Sequence, residues 1–380
     1  MALMAERVCD AAQAGTPLRI RGGGSKDFYG QTLGGEVLDM RDYCGVISYE
    51  PSELVVTVRG GTPLAELEAL LADQGQCLPF EPPHFGPHAT VGGMVASGLS
   101  GPARASTGAV RDFLLGVVVL SGKGECLTFG GQVMKNVAGY DVSRLMAGTL
   151  GTLGVLLEIS LKVLPVTPAE ATLMCSGLPQ QKALDLLNRW GAQPLPLSAS
   201  CWVHDDTAAP AQDFLFVRLR GAVAAVGAAC PRMVADVQAA GGQAVQMDNS
   251  QSSADWNACR EQSLPFFAQP PSAEDCLWRL SVPQTTPAMD LPYVPFIEWH
   301  GGLRWLWAPA SAAAQLRGLA EKAGGHATLF RRPMQTSAGL PADLPVFTPL
   351  TPVQSRIQRE LKKQFDPAGV FNPHRMSIDW

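Results

Sequence analysis

Short apolar runs separated by glycines fill the first 165 residues. Runs rich in β-branched residues and bounded by glycine or polar residues predict strands, at 18–21, 37–40, 45–49, 54–59, 114–121, 125–129 and 155–164. Helical spacing of apolar residues predicts a first helix ending at Ala14. A second helix is predicted with Thr62 as its N-cap and Pro63 as its first residue, running to about Gln74. The first part of the chain is thus expected to be rich in strands.

The pattern changes after Pro165 and Pro168. Strand and helix patterns then alternate, with predicted strands at 171–176, 198–203, 214–220 and 243–247 and predicted helices at 180–190 and 222–240. This order predicts an antiparallel sheet with helices on one face, and hence an α+β fold class. Further strands are predicted at 296–300 and 303–307, and further helices at 311–323 and 352–364.

Charge and hydropathy exclude several function classes. The chain has 29 Lys and Arg against 34 Asp and Glu, and no long basic run, so nucleic acid is not expected as a partner. The longest apolar stretches, Phe113 to Leu120 and Gly154 to Ile159, are far shorter than the roughly 20 residues of a membrane-spanning helix. Charged residues interrupt the N-terminal segment, which lacks the order of a secretory signal. A cytoplasmic protein is expected.

The cysteines predict no metal site. Nine are scattered along the chain, the closest two 17 residues apart, and no C-x-x-C occurs. Iron–sulfur and zinc centres need clustered ligands. We therefore expect free thiols in a reducing compartment, and no metal.

Three glycine-rich segments carry the strongest chemical signal, at Arg21-Gly22-Gly23-Gly24-Ser25, at Thr90-Val91-Gly92-Gly93 with Ser97 and Gly98, and at Gly148, Gly151, Gly154 and Val155. Glycine lets backbone N–H groups approach a phosphate closely. The second segment opens a predicted helix whose first N–H groups are expected to face a phosphate or a polar ring. An isolated G-G-G is more often an ordinary tight turn, and the G-x-G-x-x-G fingerprint followed by a helix is absent.

The order of these motifs resembles the FAD-binding domain of the vanillyl-alcohol oxidase and p-cresol methylhydroxylase (PCMH-type) family. The matching motifs are R-G-G-G, T-V-G-G, G-Y-D at 139–141 and G-T-L-G at 148–151, over about residues 1–168. The tail from Asp366-Pro367 to Asn372-Pro373 resembles the family's closing motif. Within the family, the short length and the segments 134–141 and 301–306 are similar to FAD-binding subunits of bacterial glycolate oxidases.

The resemblance implies a two-lobed FAD-binding domain at 1–168, a smaller cap domain at 169–335 and a C-terminal segment at 336–380 that returns to the FAD-binding domain. It places FAD against Arg21, Gly22, Gly23, Gly24, Ser25, Thr90, Val91, Gly92, Gly93, Ser97, Gly98, Gly148, Gly151, Gly154 and Val155. Many members attach FAD through a histidine in the first loop, where this chain has Ser25 and Lys26. The second loop, 103–111, has neither cysteine nor histidine. Non-covalent FAD is therefore expected.

Catalytic residues are harder to identify. Oxidation of a 2-hydroxy acid needs a base and a cation for the carboxylate, and His300 and Arg304 are the candidates. If the segment is a strand with a side-chain period of two, both residues lie on one face, from which Arg304 would stabilise negative charge on the reduced flavin. Packing of the aromatic side chains in the core explains the segment nearly as well. The histidine cluster that holds a metal in fully active hydroxy-acid members of the family has no counterpart here.

The resemblance implies one subunit of a glycolate oxidase that forms glyoxylate, with a sister flavoprotein subunit and an iron–sulfur subunit that takes the electrons. Those partners would attach a cytoplasmic subunit to the inner face of the membrane. Alternatives are a self-sufficient FAD-dependent D-2-hydroxy-acid dehydrogenase and a non-catalytic FAD-carrying assembly or electron-transfer subunit. The NADPH-dependent reductase of cell-wall nucleotide-sugar synthesis shares the fold, but its serine acid is not evident.

Overall fold

The computed structural model describes residues 1–131, 141–207, 209–333 and 344–379. The chain forms two compact units: unit 1 comprises Met1–Ser100, Ala109–Pro165 and Pro345–Trp380, and unit 2 comprises Gly101–Gly108 and Val166–Leu344. The motif residues 134–140, which include Gly139 and Tyr140, and the predicted boundary at 335/336 lie outside the described residues. No helix in the described ranges has both the length and the apolar composition that a bilayer-spanning helix needs.

Unit 1 is built mainly of strands. Its strands are β1 (Leu18–Arg21), β2 (Glu36–Asp39), β3 (Val46–Glu50), β4 (Val55–Arg59), β5 (Gln76–Cys77), β6 (Leu114–Leu120), β7 (Cys126–Gly130), β8 (Val155–Lys162) and β9 (Leu164–Pro165). Its helices in this part of the chain are α1 (Ala2–Ala14), α2 (Leu64–Ala72), α3 (Val91–Ser97), α5 (Val110–Phe113) and α6 (Val142–Leu145). The main sheet is antiparallel, in the order β3-β4-β8-β6-β7, and β1 pairs with β2 in parallel.

Strand β8 is buried on both faces. Ile159 and Leu161 belong to one apolar cluster, which includes residues of α2 and α3. Val155 and Leu157 belong to a second cluster, with residues of α1 and β1. Leu156 lies between Val155 and Leu157 in the sequence but belongs to the first cluster, because successive side chains of a strand point to opposite faces. The pairing of β8 with β6 has a register irregularity just after this point, so residues with the same spacing face different clusters, and β8 joins the two cores of unit 1. The glycine stretch that leads into β8 is therefore attached to the rigid centre of the unit.

The predicted capping of α2 is wrong. Thr62 is not the N-cap; the helix begins at Leu64, and Pro63 occupies the cap position without a side-chain cap. The Thr62 hydroxyl instead donates to the carbonyl oxygen of Arg59 at 2.7 Å and accepts from the backbone N–H of Gly45 at 3.0 Å. A long-range contact thus uses the hydroxyl that the sequence pattern assigned to the helix.

Unit 2 carries an eight-stranded antiparallel sheet. Its strands are β10 (Ala169–Ser176), β11 (Leu197–Asp205), β12 (Gln212–Gly221), β13 (Gln243–Gln246), β14 (Cys276–Ser281), β15 (Phe296–Glu298), β16 (Leu303–Ala308) and β17 (His326–Arg331), in the order β13-β10-β12-β11-β15-β16-β14-β17. Its helices are α4 (Arg104–Thr107), α7 (Gln180–Gly191), α8 (Val223–Ala239), α9 (Asn249–Arg260), α10 (Pro265–Ala268) and α11 (Ala313–Lys322). Strands β14 and β17 and helix α9 were not predicted.

Helices lie on both faces of this sheet, so the prediction of helices on one face is wrong. Helices α7, α8 and α11 share apolar clusters with side chains of one face, such as Leu173 of β10. The neighbouring side chain of Thr172 points to the other face, where it accepts a hydrogen bond from Trp256 of α9 at 3.0 Å. On that second face, Trp307 of β16 donates to the carbonyl oxygen of Phe266 in α10 at 2.7 Å.

The predicted strand at 296–300 ends two residues early. Strand β15 stops at Glu298, and Trp299 to Gly301 form a short 3₁₀ turn. Trp299 and His300 have φ angles of 53° and 54°, in the left-handed region that only a few per cent of residues other than glycine adopt. The turn breaks the period-two alternation, so the prediction that His300 and Arg304 share one strand face is wrong.

The chain returns to unit 1 through α12 (Pro352–Phe365). Thr351 caps this helix by accepting a hydrogen bond from the N–H of Gln354. Lys362 is buried and donates to Asp366 Oδ2 at 2.7 Å, to Thr152 O at 2.7 Å and to Phe371 O at 2.8 Å. This lysine ties the tail to the glycine stretch before β8.

Candidate functional site

The triple-glycine loop packs directly against the second glycine segment. A Cβ on Gly22 would lie 2.2 Å from Thr90 Oγ1, and one on Gly23 would lie 1.5 Å from the carbonyl oxygen of His88. Any side chain there would force the two segments apart. Asp27 braces the loop by accepting hydrogen bonds from Arg19 at 2.5 Å and Arg21 at 3.1 Å.

The second segment forms the short helix α3, which Thr90 caps. Gly93 donates its N–H to Thr90 Oγ1 at 3.2 Å, and Gly92 donates to the carbonyl oxygen of Gly60 at 2.7 Å. The expectation that these N–H groups are free to bind a phosphate is therefore wrong for Gly92 and Gly93. A Cβ on Gly92 would approach Gly60 O to 2.7 Å, so this glycine allows close backbone packing.

The third segment is hydrogen-bonded to the end of α3. Gly148 donates to Val95 O at 3.0 Å, and Leu150 donates to Ala96 O at 2.8 Å. A Cβ on Gly98, which ends α3, would lie 2.8 Å from Gly148 Cα. The second and third glycine segments thus form one packed structure.

Asn372 of the tail closes this structure. Its Oδ1 accepts from the backbone N–H of Ile20 in β1 at 2.8 Å, and its Nδ2 donates to Leu150 O at 2.6 Å. Its own N–H donates to Leu18 O at 2.9 Å. One side chain therefore connects the strand before the triple-glycine loop with the third glycine segment.

Between these segments lies a solvent-open cleft, with about 430 Å³ of empty space when the solvent at its mouth is included. Its lining residues are Ile20, Gly22, Met40, Gly60, Thr90, Gly92, Gly93, Ala96, Leu150, Gly151, Gly154, Val155, Leu156 and Asn372. Six are glycines, whose missing side chains leave the space open and the backbone accessible. A narrow groove of backbone and apolar side chains suits the phosphates and flat rings of a dinucleotide, so the residues present fit FAD.

The cleft contains part of the predicted FAD set. Gly22, Thr90, Gly92, Gly93, Gly151, Gly154 and Val155 line it. The remaining predicted residues lie in the same segments but do not line the cleft; they are Arg21, Gly23, Gly24, Ser25, Val91, Ser97, Gly98 and Gly148. Of these, Ser97 is buried and donates to Met94 O at 3.0 Å, and Val91 is fully buried in the core.

Several lining residues were missed by the sequence reasoning. Met40, Gly60 and Leu156 come from separate strands or strand ends, and no motif marks them. Asn372 had a signal, because it stands in the closing motif Asn372-Pro373, but the sequence pattern did not connect it to the cleft.

His300 is held by two serines of unit 2. Its Nδ1 lies 2.9 Å from Ser200 Oγ, and its Nε2 lies 2.9 Å from Ser106 Oγ. Burial lowers the pKa of His300 from 6.5 to about 4, so the ring is neutral at pH 7. Both ring nitrogens have hydrogen-bond partners, and the histidine links the 101–108 segment to the sheet.

Arg304 is fully buried. Its Nη2 donates to Thr286 O at 2.6 Å and its Nε to Gly301 O at 3.4 Å. Burial lowers its pKa to about 10, and Nη1 has no hydrogen-bond partner among the described residues. In the pairing of β14 with β16, Arg304 lies opposite Leu280, whose side chain packs against α11. The side chain of Arg304 therefore points to the same helix-covered face of the sheet.

Comparisons with known proteins relate this chain to FAD-dependent oxidoreductases. An FAD binding domain model matches residues 3–130. Glycolate oxidase subunit GlcE of Escherichia coli (strain K12) is 45% identical over 98% of this chain and 95% of its own length. Glycolate oxidase subunit GlcD of Bacillus subtilis (strain 168) is 29% identical over 42% of this chain and 34% of its own length. The mitochondrial D-lactate dehydrogenase [cytochrome] of Arabidopsis thaliana is 31% identical over 43% of this chain and 29% of its own length.

Among solved structures, an alkyldihydroxyacetonephosphate synthase matches with a TM-score of 0.68 at 14% identity, over 97% of this chain and 74% of that one. Such low identity indicates a shared fold alone. The α+β fold class and the FAD cofactor expected from the motifs are confirmed. The cleft, the matched FAD binding domain and the near full-length similarity to GlcE together show that this chain belongs to the glycolate oxidase subunit GlcE family of PCMH-type, FAD-dependent oxidoreductases.

Proposed function

We propose that this chain is the FAD-binding subunit of a multi-subunit enzyme that oxidises glycolate to glyoxylate and passes the electrons to an iron–sulfur partner. The observation that carries the proposal is the glycine-lined cleft of unit 1, in a chain that is 45% identical to a glycolate oxidase subunit along nearly its whole length. The name of that relative, a subunit, supports a hetero-oligomer.

In this proposal the residues of the cleft bind and orient FAD. The backbone around Gly22 and Gly151 would hold the cofactor, while Met40, Leu156 and Ile20 would exclude water from it. Asn372 fixes the spacing of the two walls. When bound, FAD supplies the acceptor for the hydride of a 2-hydroxy acid.

FAD is bound without a covalent link in this proposal. Lys26, which follows the triple-glycine loop, donates its Nζ to the carbonyl oxygen of His84 at 3.1 Å. Ser25 lies beside it, 3.4 Å from the same Nζ. Neither side chain is of the histidine or cysteine type that forms flavin links in the family, so affinity rests on backbone contacts and burial.

The proposed catalytic roles of His300 and Arg304 receive little support from their surroundings. Both ring nitrogens of His300 face serine hydroxyls, and Arg304 is fully buried with carbonyl partners. We infer that His300 positions the 101–108 segment and that Arg304 fixes the loop around Thr286. The base for the glycolate hydroxyl proton then comes from a sister flavoprotein subunit.

The same proposal includes the location of the subunit in the cell. The sister flavoprotein and iron–sulfur subunits would hold it at the inner face of the cytoplasmic membrane. The scattered cysteines support an electron acceptor outside this chain, because no two stand closer than 17 residues in the sequence.

The test compares the chain purified alone with the co-purified complex. Flavin content, glycolate-dependent dye reduction and glyoxylate formation are measured in both. We expect one FAD per lone chain with little dye reduction, and rapid glyoxylate formation by the complex. Rapid bleaching of the flavin of the lone chain by glycolate or D-lactate would instead support a self-sufficient dehydrogenase.

A further inference from the structure

Arg279 lies on the face of the unit 2 sheet opposite to α11. It pairs with Trp305 of β16 and with Thr328 of β17. Its sequence neighbour Leu280 points to the other face, where it joins the apolar cluster of α11. Arg279 therefore shares a face with Trp305 and not with the residues under the helix.

The guanidinium of Arg279 has aromatic neighbours and, within the described part of the chain, no hydrogen-bond acceptor. It lies 5.1 Å from the ring centroid of Trp299 and 5.8 Å from that of Trp305. Its Nε is buried and has no hydrogen-bond partner among the described residues. A guanidinium carries five N–H donors, and a buried donor without an acceptor destabilises the folded state. An acceptor from outside the chain would relieve this destabilisation.

No carboxylate of the described residues neutralises Arg279. Glu298, whose side chain contacts Trp305, accepts from Trp305 Nε1 at 2.7 Å and from Cys259 Sγ at 3.3 Å. Arg279 itself forms no ion pair with any described residue. The acid beside the tryptophan is thus used in the core and leaves the charge of Arg279 unmatched.

Further positive charge gathers at the same place. The guanidinium of Arg104 lies 4.4 Å from the centroid of the Trp299 ring, so two guanidinium groups lie close to this ring. The pKa of His326 is lowered, first by partial burial and then by the positive charges of Arg279 and Arg104. Two guanidinium charges that act on the same imidazole mark a site of positive potential, which an anion stabilises.

The backbone holds Trp299 in place for this arrangement. Its φ of 53° turns the ring out of the strand register. Its Nε1 donates to the carbonyl oxygen of Gly101 at 3.0 Å, which fixes the 101–108 segment that carries Arg104. Strained backbone of this kind clusters at binding sites, because the surrounding contacts must impose it.

We propose that Arg279 is the anchor of a carboxylate-binding site in unit 2, with Arg104 and His326 beside it and the Trp299 ring as its apolar floor. The planar fork of a guanidinium matches the two oxygens of a carboxylate, and the ring suits a short carbon chain. The ligand is a small 2-hydroxy carboxylate; this identity rests on the proposed function, whereas the site itself rests on the contacts described.

The test is calorimetric titration of the purified full-length, FAD-loaded chain. Oxalate is the main probe, because it has two carboxylates and no hydroxyl carbon to oxidise; ethylene glycol and inorganic phosphate are the comparison probes. Arg279→Met and Arg279→Lys are compared with Arg189→Met, which removes an exposed arginine of α7 in the same unit. The thermal midpoint of each variant shows that it is folded.

Oxalate is expected to bind wild type and Arg189→Met equally, to bind Arg279→Lys at least tenfold more weakly, and not to bind Arg279→Met. Unchanged binding to Arg279→Met, no binding to wild type, or tighter binding of phosphate or ethylene glycol than of oxalate would overturn the site. The proposed function is tested separately. If the complex forms no glyoxylate but oxalate binding still depends on Arg279, the proposed function is wrong and the site is supported.

Discussion

Asn372 accepts a hydrogen bond from the backbone of Ile20 at 2.8 Å, although 352 residues separate the two in the sequence. The same side chain donates to Leu150, at the opposite wall of the cleft. The cleft of unit 1 is therefore shaped by three distant parts of the chain, and the tail is one of its walls.

Replacing Asn372 by alanine is expected to weaken FAD binding at least tenfold while unit 1 remains folded. The amide is the bridge between Ile20 and Leu150, and without it the two walls lose their fixed spacing. Equilibrium dialysis of FAD measures the effect. Asn257→Ala, on the exposed side of α9, is the control and keeps wild-type affinity.

Alanine at Gly23 or Gly92 is expected to lower bound FAD to a small fraction of one per chain. The added Cβ would lie 1.5 Å from His88 O in the first case and 2.7 Å from Gly60 O in the second, so the glycine segments would move apart. Absorbance of the bound flavin after gel filtration gives the content. Gly34→Ala, where a Cβ meets nothing within 4 Å, keeps full occupancy; stoichiometric FAD in both test variants would contradict the prediction.

The sequence was informative where structure is local. The strand at Leu18–Arg21 and the helix that opens at the Thr90-Val91-Gly92-Gly93 motif follow from neighbouring residues, and the structure contains both. Asn372 could not be assigned to the cleft, because its partners are set by the packing of the tail and not by adjacent residues. The Thr62 hydroxyl was misassigned for the same reason: its partners on Gly45 and Arg59 are tertiary.

Acid precipitation is expected to release all of the FAD into the supernatant. Neither Ser25 nor Lys26 forms the flavin links made by histidine or cysteine, so unfolding removes every contact that holds the cofactor. Absorbance of the supernatant and of the washed pellet gives the partition. Flavin that stays with the pellet would mean a covalent bond and would refute the non-covalent proposal.

Lys362→Met is expected to destabilise unit 1 by about 3–5 kcal/mol, since it leaves the buried Asp366 carboxylate without its cation. Lys363→Met is a matched control one residue away. Lys363 is exposed and pairs with Glu360 on the surface, where a pair contributes about 0–1 kcal/mol. Urea unfolding measures both; equal destabilisation of the two variants would contradict the assigned role of Lys362.

His300 makes stability depend on pH. Burial lowers its pKa from 6.5 to about 4, so the unfolded chain binds the proton more tightly than the folded one. The neutral His300 ring contributes its full share to the free energy of unfolding above pH 6.5. This contribution, on the order of 3 kcal/mol in total, is lost as the pH falls toward 4. Urea unfolding between pH 4 and 7 is expected to show this slope in wild type and in His374→Gln, an exposed control, and a flatter slope in His300→Gln.

Unit 2 shows why the sequence left its chemistry open. The run at 296–307 has the alternation of a long strand, but the left-handed turn at Trp299 and His300 interrupts it. The turn separates His300 from the register of Arg304. The unmatched charge of Arg279 is visible only with the neighbouring strands in place, because its environment comes from β16 and β17.

Unit 1 consists of the beginning and the end of the chain, with most of unit 2 inserted between them. During synthesis on the ribosome, β1 and the triple-glycine loop leave the exit tunnel long before Asn372 does. The cleft therefore lacks its Asn372 wall until residues 166–344 of unit 2 have been synthesised. A chain truncated before Asn372 is expected to retain no FAD and to be colourless.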